Sequence, residues 1–222
     1  MPRPTIIVSA FAAAMAMQKP ADAQDTQLWT ALSVNGPIDE DSRFLLWFDA
    51  HARYSDDVSR LGVSIIRPGV GYKVNDRLSL WAGYTWAVSR ADGRNNITDN
   101  RFWQQATYKI AGGEWGSLSG RTRLEQRFLN TGDDTGWRAR QMLRYTKPLT
   151  DQLSATAWNE PFIALNDTDF GARSGYDQNR TFAGLRWKAR PKVIIEGGYL
   201  FNDIKAGSQE NHNISLSISR PL

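Results

Sequence analysis

Arginines recur at alternate positions in neighbouring segments of the chain. Two such segments carry Arg121, Arg123, Arg127, Arg138, Arg140 and Arg144. Residues two apart on a β-strand point to the same side. The guanidinium group stays charged and presents a planar fork of donors that fits carboxylates and phosphates. A ladder of such groups along two strands would therefore hold or pass small anions.

The segments that carry these arginines alternate between polar and apolar residues. Leu80, Leu124 and Leu185 each lie on an apolar face whose opposite face is polar. This period of two predicts β-strands, and the segments are long enough for tilted strands that cross a hydrocarbon layer. The polar faces carry full charges in mid-strand, where a soluble barrel would place its core. Tyr and Trp recur near the ends of the apolar faces, as membrane interfaces require.

We therefore expect an all-β protein, a closed antiparallel up-and-down transmembrane β-barrel. Eleven candidate strands begin near Gln27, Phe44, Arg60, Leu78, Arg101, Ser117, Trp137, Leu153, Asn179, Val193 and Asn211. Single-chain bacterial barrels have an even number of strands, so within a range of ten to twelve we prefer twelve. The segment at 60–74 contains Pro68 and changes its alternation phase, which marks it as the candidate least suited to span.

The N-terminal segment has the features of a secretory signal. Residues 1–23 combine a basic start, a short apolar stretch and the small residues Ala21 and Ala23. Cleavage would leave a single barrel domain at 24–222, exported by the general secretion pathway to the bacterial outer membrane. Outer-membrane lipid and the barrel-insertion machinery are then the expected partners. A formal net charge of +4 is by itself weak evidence for nucleic-acid binding. Export from the cytoplasm argues against nucleic acid as a partner.

Several motifs resemble one bacterial family. They are the runs at 67–72, 80–84, 101–105 and 121–128, continued by Asn-Glu-Pro-Phe at 159–162, Asp-Gln-Asn-Arg at 177–180 and Glu-Gly-Gly-Tyr at 196–199. Together they resemble the family named domain of unknown function 2490. The resemblance implies an outer-membrane β-barrel and brings no established activity. The chain differs from barrels in general at its C-terminus, which ends in Leu222 where an aromatic residue is common.

The inward faces of the expected barrel carry more cations than anions. We predict a lumen anion track of Arg121, Arg123, Arg127, Arg138, Arg140, Arg144, Arg180 and Arg186. We predict lumen counter-charges at Asp49, Glu125, Glu160 and Glu196. The favoured function is a narrow, porin-like channel for small anionic solutes. The alternative is a structural or adhesion barrel whose lumen is closed by salt bridges, since barrels between eight and sixteen strands range from filled to open.

A membrane-embedded hydrolase is a third possibility. His51 alternates inward beside Asp49, and His212 precedes Ser215 and Ser217 near the end of the chain. No serine is tied by spacing to a base and an orienting acid, so we predict no catalytic residues and no enzyme. No loop has a full set of calcium ligands. We accordingly predict no metal site and no cofactor.

Overall fold

Eleven β-strands make up the fold of the described residues. The computed structural model describes residues 26–90, 93–206 and 208–222; the expected signal peptide at 1–23 lies outside them. The strands are β1 (Thr26–Pro37), β2 (Phe44–Ser55), β3 (Arg60–Lys73), β4 (Leu78–Ser89), β5 (Ile97–Gly113), β6 (Gly116–Leu129), β7 (Gly136–Pro148), β8 (Leu153–Ala164), β9 (Gly175–Arg190), β10 (Val193–Ile204) and β11 (Gln209–Pro221). The described part of the chain has no helix that could span a bilayer.

The strands form one closed barrel in chain order, which confirms the expected fold class. Consecutive strands pair antiparallel, and the ring closes where β1 pairs with β11 in parallel, from Thr26 opposite His212 to Asn35 opposite Pro221. The preference for twelve strands was therefore wrong, and the barrel is mixed instead of strictly antiparallel. A parallel closing pair removes the need for a twelfth strand, because it joins strands that run in the same direction.

The segment suspected of not spanning is a complete strand. β3 pairs with β2 along its length, from Phe44 opposite Tyr72 to Ser55 opposite Arg60. Its register with β4 passes over Arg67 and Pro68. Proline has no N–H to donate, and it is tolerated within a sheet at such irregular positions. The change of alternation phase therefore marks a local irregularity inside a spanning strand.

Apolar side chains cover the outside of the barrel, and charged side chains fill the inside. Leu80 and Leu216 are 48% and 44% exposed on the outer wall, whereas Arg123 and Glu125 are each 1% exposed in the interior. Exposed aromatic residues form a girdle near each end of the wall: Trp86, Phe128, Trp137 and Tyr176 at one end, and Phe44, Tyr72, Tyr145 and Trp187 at the other. This is the architecture of a transmembrane β-barrel.

The two rims of the barrel differ in their connections. Connections at 130–135 and 165–174 belong to one end, which we name the long-loop rim. Turns at 74–77, 114–115 and 191–192 belong to the opposite end, the short-turn rim. Because the number of strands is odd, β1 begins at the long-loop rim and β11 ends at the short-turn rim.

Candidate functional site

The interior side chains come from inward positions of the strands, where the predicted arginines also lie. Arg121, Arg123 and Arg127 belong to β6, Arg138, Arg140 and Arg144 to β7, and Arg180 and Arg186 to β9. Alternation aims each of these side chains to the side opposite the apolar wall. The β6 and β7 residues are cross-strand neighbours, with Arg123 opposite Arg140 and Glu125 opposite Arg138.

Five of the charged residues form a central ion-pair belt: Arg121, Glu160, Arg140, Glu125 and Arg138. Arg138 Nη2 and Arg140 Nη1 each donate to Glu125 at 2.6 Å. Arg140 also donates to Glu160 at 3.0 Å, and Arg121 does so at 2.7 Å. Charge-assisted pairs of this length are the strong class of hydrogen bond, so the belt braces the middle of the barrel across β6, β7 and β8.

Further ion pairs lie on either side of the belt. Arg144 binds both carboxylate oxygens of Glu196, at 2.5 and 3.1 Å. Arg127 Nη2 binds Asp99 at 2.6 Å, and Arg101 binds the same carboxylate at 2.7 Å. Most of the predicted anion track is therefore engaged by carboxylates of the barrel itself.

Two interior carboxylates escape the sequence analysis. Asp99 lies in β5 and is 5% exposed, and Asp177 in β9 accepts from Arg138 at 3.2 Å. Both lie before the expected strand starts near Arg101 and Asn179, in segments expected to be loops, whereas β5 begins at Ile97 and β9 at Gly175. The signal was present, since Asp99 is two residues before Arg101 and shares its alternation phase.

Arg53 and Arg180 form no salt bridge with a carboxylate among the residues that the structure describes, although Arg180 is the register partner of Glu160 on β8. Arg186, further along β9, forms none among those residues either. The guanidinium carbon of Arg53 lies 3.8 Å from the centre of the Trp29 ring, and that of Arg180 lies 5.0 Å from the same ring. Arg180 donates only to amide oxygens, Gln178 at 3.3 Å and Asn202 at 3.4 Å. The guanidinium groups of Arg53 and Arg180 therefore both make cation–π contacts with the Trp29 ring. These contacts do not cancel the positive charge of either arginine.

Two cavities of the barrel interior adjoin at Trp29, Arg53 and Arg180. A cavity of about 450 Å³ opens towards the long-loop rim, and one of about 240 Å³ lies deeper. Both are lined by Trp29, Arg53 and Arg180, together with Arg67 and Arg140. We name Trp29, Arg53 and Arg180 the arginine constriction.

A third cavity continues the series towards the opposite end. It has a volume of about 400 Å³, lies by the turn at 74–77 on the short-turn rim, and shares Trp47, Arg121 and Met142 with the 240 Å³ cavity. The third cavity is lined by residues of β2 to β7 and by the turn at 74–77, so the series leaves the side of the arginine constriction as it approaches the short-turn rim.

Tryptophans fill the opposite side of the interior. The rings of Trp47 and Trp81 are 5.3 Å apart, and those of Trp47 and Trp103 are 6.2 Å apart. Trp103 lies flat over Gly69 and Gly83, where a Cβ would overlap its ring. The three rings therefore fill the part of the interior that lies beside β2, β4 and β5.

The two histidines occupy different surroundings. His51 Nε2 is 2.9 Å from Asp49 Oδ1, and the other oxygen of Asp49 accepts from Trp47 at 2.7 Å and from Arg67 at 3.0 Å. No hydroxyl group is hydrogen-bonded to His51 among the described residues. His212 contacts the Tyr199 hydroxyl on the outer side of the wall. Neither histidine is part of a nucleophile, base and acid arrangement.

Metal ligands are not grouped in the part of the chain that the structure describes, where no cluster of three or more His, Asp or Glu residues occurs. In the loops, Asp169 accepts the backbone N–H groups of Asp133 and Asp134. These hydrogen bonds lower the pKa of Asp169. This carboxylate therefore ties the loop at 165–174 to the loop at 130–135.

Two solved structures show weak similarity to this chain. The translocator domain of the autotransporter NalP from Neisseria meningitidis is 12% identical and has a TM-score of 0.49, over 85% of this chain and 82% of that chain. The siderophore receptor PirA from Pseudomonas aeruginosa is 14% identical with a TM-score of 0.33, over 92% of this chain and 41% of that chain. Similarity at this level carries no information on function.

Sequence comparison identifies closer relatives. An uncharacterised protein of Methylorubrum extorquens is 36% identical over 201 residues, which cover 88% of this chain and 87% of the relative. A family model described as "Protein of unknown function (DUF2490)" matches residues 26–213, a range that begins at the first residue of β1 and ends within β11. With the motifs at 67–72 and 121–128, these matches show that the chain belongs to the DUF2490 family.

Proposed function

We propose that this protein is a bacterial outer-membrane barrel that passes small anions through a narrow lumen. Its apolar wall fits a bilayer, and single-chain transmembrane barrels are typical of the bacterial outer membrane. Delivery by the general secretion pathway and assembly by the barrel-insertion machinery are part of the same proposal, as are the small anionic solutes that the lumen would carry.

The arginine constriction is the observation that carries this proposal. Arg53 and Arg180 lie where two cavities adjoin, and neither forms a salt bridge with a carboxylate within the described residues, although Glu160 is the cross-strand partner of Arg180. A small anion that reaches Trp29 meets two guanidinium groups, whereas a cation is repelled by both. A weakly held anion can be passed on, which conduction requires.

Cavity size limits the solute. The 240 Å³ cavity has room for about eight water molecules at about 30 Å³ each. Halides, inorganic oxoanions and short carboxylates fit this volume, and large substrates do not. The favoured solutes are therefore small anions with a partial hydration shell.

Conductance across a planar bilayer tests the proposal. Purified protein in a tenfold KCl gradient should give a reversal potential that shows preference for chloride. Replacing both constriction arginines, Arg53→Gln with Arg180→Gln, should lower the chloride-to-potassium permeability ratio several-fold. Arg173→Gln is the matched control, because this loop arginine is 71% exposed and outside the lumen. Equal ratios for the double variant and the control would refute the proposal.

A structural barrel with a closed lumen is the second candidate, and the central ion-pair belt favours it. Arg140, Glu125 and Glu160 are all buried, and both carboxylates accept hydrogen bonds from Arg140, as in a narrow barrel filled by side chains. Complete electrical silence of correctly folded protein would support this candidate and exclude passage of anions.

A further inference from the structure

The outer wall of β5 to β9 carries amide and hydroxyl side chains at mid-strand positions. These residues form what we name the polar stripe: Gln104, Tyr108, Thr122, Gln126, Gln141, Asn159, Asn179 and Thr181. They point away from the lumen, since their neighbours one position along each strand are the interior residues described above.

Hydrogen bonds link the members of the polar stripe between strands. Gln104 and Gln126 bind each other reciprocally at 3.3 and 3.4 Å. Gln141 accepts from Thr122 at 2.6 Å and donates to Tyr108 at 2.8 Å. These are cross-strand contacts on one continuous face that spans β5, β6 and β7.

A third cluster extends the stripe to β8 and β9. Asn159 Nδ2 lies 3.0 Å from Asn179 Oδ1 and 2.9 Å from Thr181 Oγ1. Elsewhere on the wall, the corresponding outward positions of β2, β4 and β11 hold Leu46, Leu80 and Leu216, all more than 40% exposed. The polar stripe is therefore a localised departure from an otherwise apolar wall.

Amides that face lipid are costly unless they are hydrogen-bonded. A primary amide offers two N–H donors and two acceptor lone pairs, and the reciprocal Gln104–Gln126 pair uses one donor and one acceptor of each. The second N–H of each amide has no partner among the described residues. Contact with another polar surface would provide acceptors for these free N–H groups, whereas lipid acyl chains offer no acceptors.

Small side chains lie between the clusters. Ala106, Ala139, Ala157 and Ala183 occupy outward positions on β5, β7, β8 and β9. Small residues let two membrane-embedded backbones approach closely, as they do between membrane helices. The stripe therefore combines polar groups with small side chains, and Leu143, which is 47% exposed, projects from the same face of β7 beside Asn159.

We propose that the polar stripe is the contact surface for a second copy of this chain, related by a two-fold axis. The stripe is made of uncharged groups that both donate and accept, so it is complementary to itself, as an isologous interface requires. Five strands spaced about 4.8 Å apart, over an apolar band about 25 Å high, present about 500 Å² per copy. Because the wall is convex, two copies would bury at most about 1,000 Å², which is the lower limit for a biological interface.

Cysteine cross-linking in native membranes tests the contact directly, because the natural chain has no cysteine. Ala139→Cys and Ala157→Cys place single thiols in the stripe, and Leu46→Cys and Leu216→Cys place matched thiols on the opposite wall. After oxidation, the stripe variants should give at least tenfold more disulfide-linked homodimer than the controls. Equal yields, or a cross-link to a protein of another mass, would overturn the proposal.

A second measurement examines the hydrogen bonds themselves. Gln141→Leu combined with Asn159→Leu should weaken self-association at least tenfold in sedimentation experiments on detergent-solubilised protein. Heat-modifiable migration on gels verifies that the variant is still a folded barrel. An unchanged association constant in the folded variant would refute a role for the polar stripe.

Discussion

Arg140 holds Glu160 through two hydrogen bonds, from Nε to Oε1 at 3.1 Å and from Nη2 to Oε2 at 3.0 Å. The same guanidinium reaches Glu125 through Nη1 at 2.6 Å. One cation therefore joins two buried carboxylates that belong to different strands, β6 and β8. This bridge makes Arg140 the centre of the ion-pair belt.

Removing this bridge should destabilise the barrel. Arg140→Leu removes the cation that Glu125 and Glu160 share, and both carboxylates stay buried. Removing one partner of a buried ion pair costs about 3–5 kcal/mol. Urea unfolding followed by tryptophan fluorescence measures the change in the free energy of unfolding. Arg173→Leu, in an exposed loop pair, should stay within about 0.5 kcal/mol of the parent. Similar midpoints for both variants would show that the belt does not brace the fold.

The Arg144–Glu196 pair should tune ion selectivity in both directions. Arg144→Gln removes a lumen cation and should lower the chloride-to-potassium permeability ratio, whereas Glu196→Gln should raise it. The double variant should return close to the parent ratio, because the pair is neutral as a unit. Reversal potentials in a salt gradient measure all three, and a shift of the same sign in both single variants would contradict the expectation.

Gly83 should not tolerate a side chain while Trp103 is present. A Cβ at Gly83 would overlap the buried Trp103 ring, so Gly83→Ala should cost about 1–3 kcal/mol through overpacking. Gly83→Ala with Trp103→Leu should cost less than the sum of the two single variants, since the smaller side chain removes the ring from the added methyl group, while the overlap with the carbonyl oxygen of Pro68 stays. Gly112→Ala is the control, because its nearest neighbouring atom lies 3.7 Å away. Equal thermal shifts for Gly83→Ala and Gly112→Ala would refute this account.

The contact between the loops should weaken in acid. Hydrogen bonds from Asp133 and Asp134 lower the pKa of Asp169 below its unfolded value of about 3.9. Their stabilising effect is complete above that value and is lost as the pH falls through the lowered pKa. Hydrogen exchange at these two amides should therefore accelerate below about pH 4, relative to Asp169→Asn at the same pH. A constant ratio between the two proteins across this range would disprove the expectation.

The parallel closure of the barrel can be tested with a disulfide. Leu32 and Ile218 are register partners on β1 and β11, and neighbouring strands about 4.8 Å apart lie within disulfide range. Leu32→Cys with Ile218→Cys should form an intramolecular bond on oxidation. Leu32→Cys with Ile195→Cys is the control, because β11 separates β1 from β10. A bond in the control pair alone would mean that β1 does not pair with β11.

Alternation was sufficient to predict the barrel and the orientation of its strands. Each spanning strand shows a period of two, so Leu124 and Arg123 could be assigned to opposite faces without knowing their neighbours. The number of strands was not encoded in this way, because the alternation within β1 contains no information on which strand closes the ring. The expectation of twelve strands therefore rested on the general rule that strand numbers are even. The actual number follows only from the observed pairing of β1 with β11.

Charge pairing in the interior was beyond the sequence for a different reason. Contacts such as Arg144 with Glu196 cross the lumen between β7 and β10, and they depend on how the strands are staggered around the barrel. Alternation identifies which residues face inward but not which of them meet. The special position of Arg53 follows only after the other arginines have been matched with their carboxylates.

Closure by β1 and β11 also has a consequence for the order of assembly. Each hairpin joins strands that are adjacent in the chain, whereas the closing pair joins Thr26 to His212 and carries the largest loop-closure entropy of the barrel. Parallel pairing is also slightly less stable per residue than antiparallel pairing. We therefore expect the seam to be the last ladder to form and the first to separate, so that the unclosed sheet has two free edges until β1 and β11 pair.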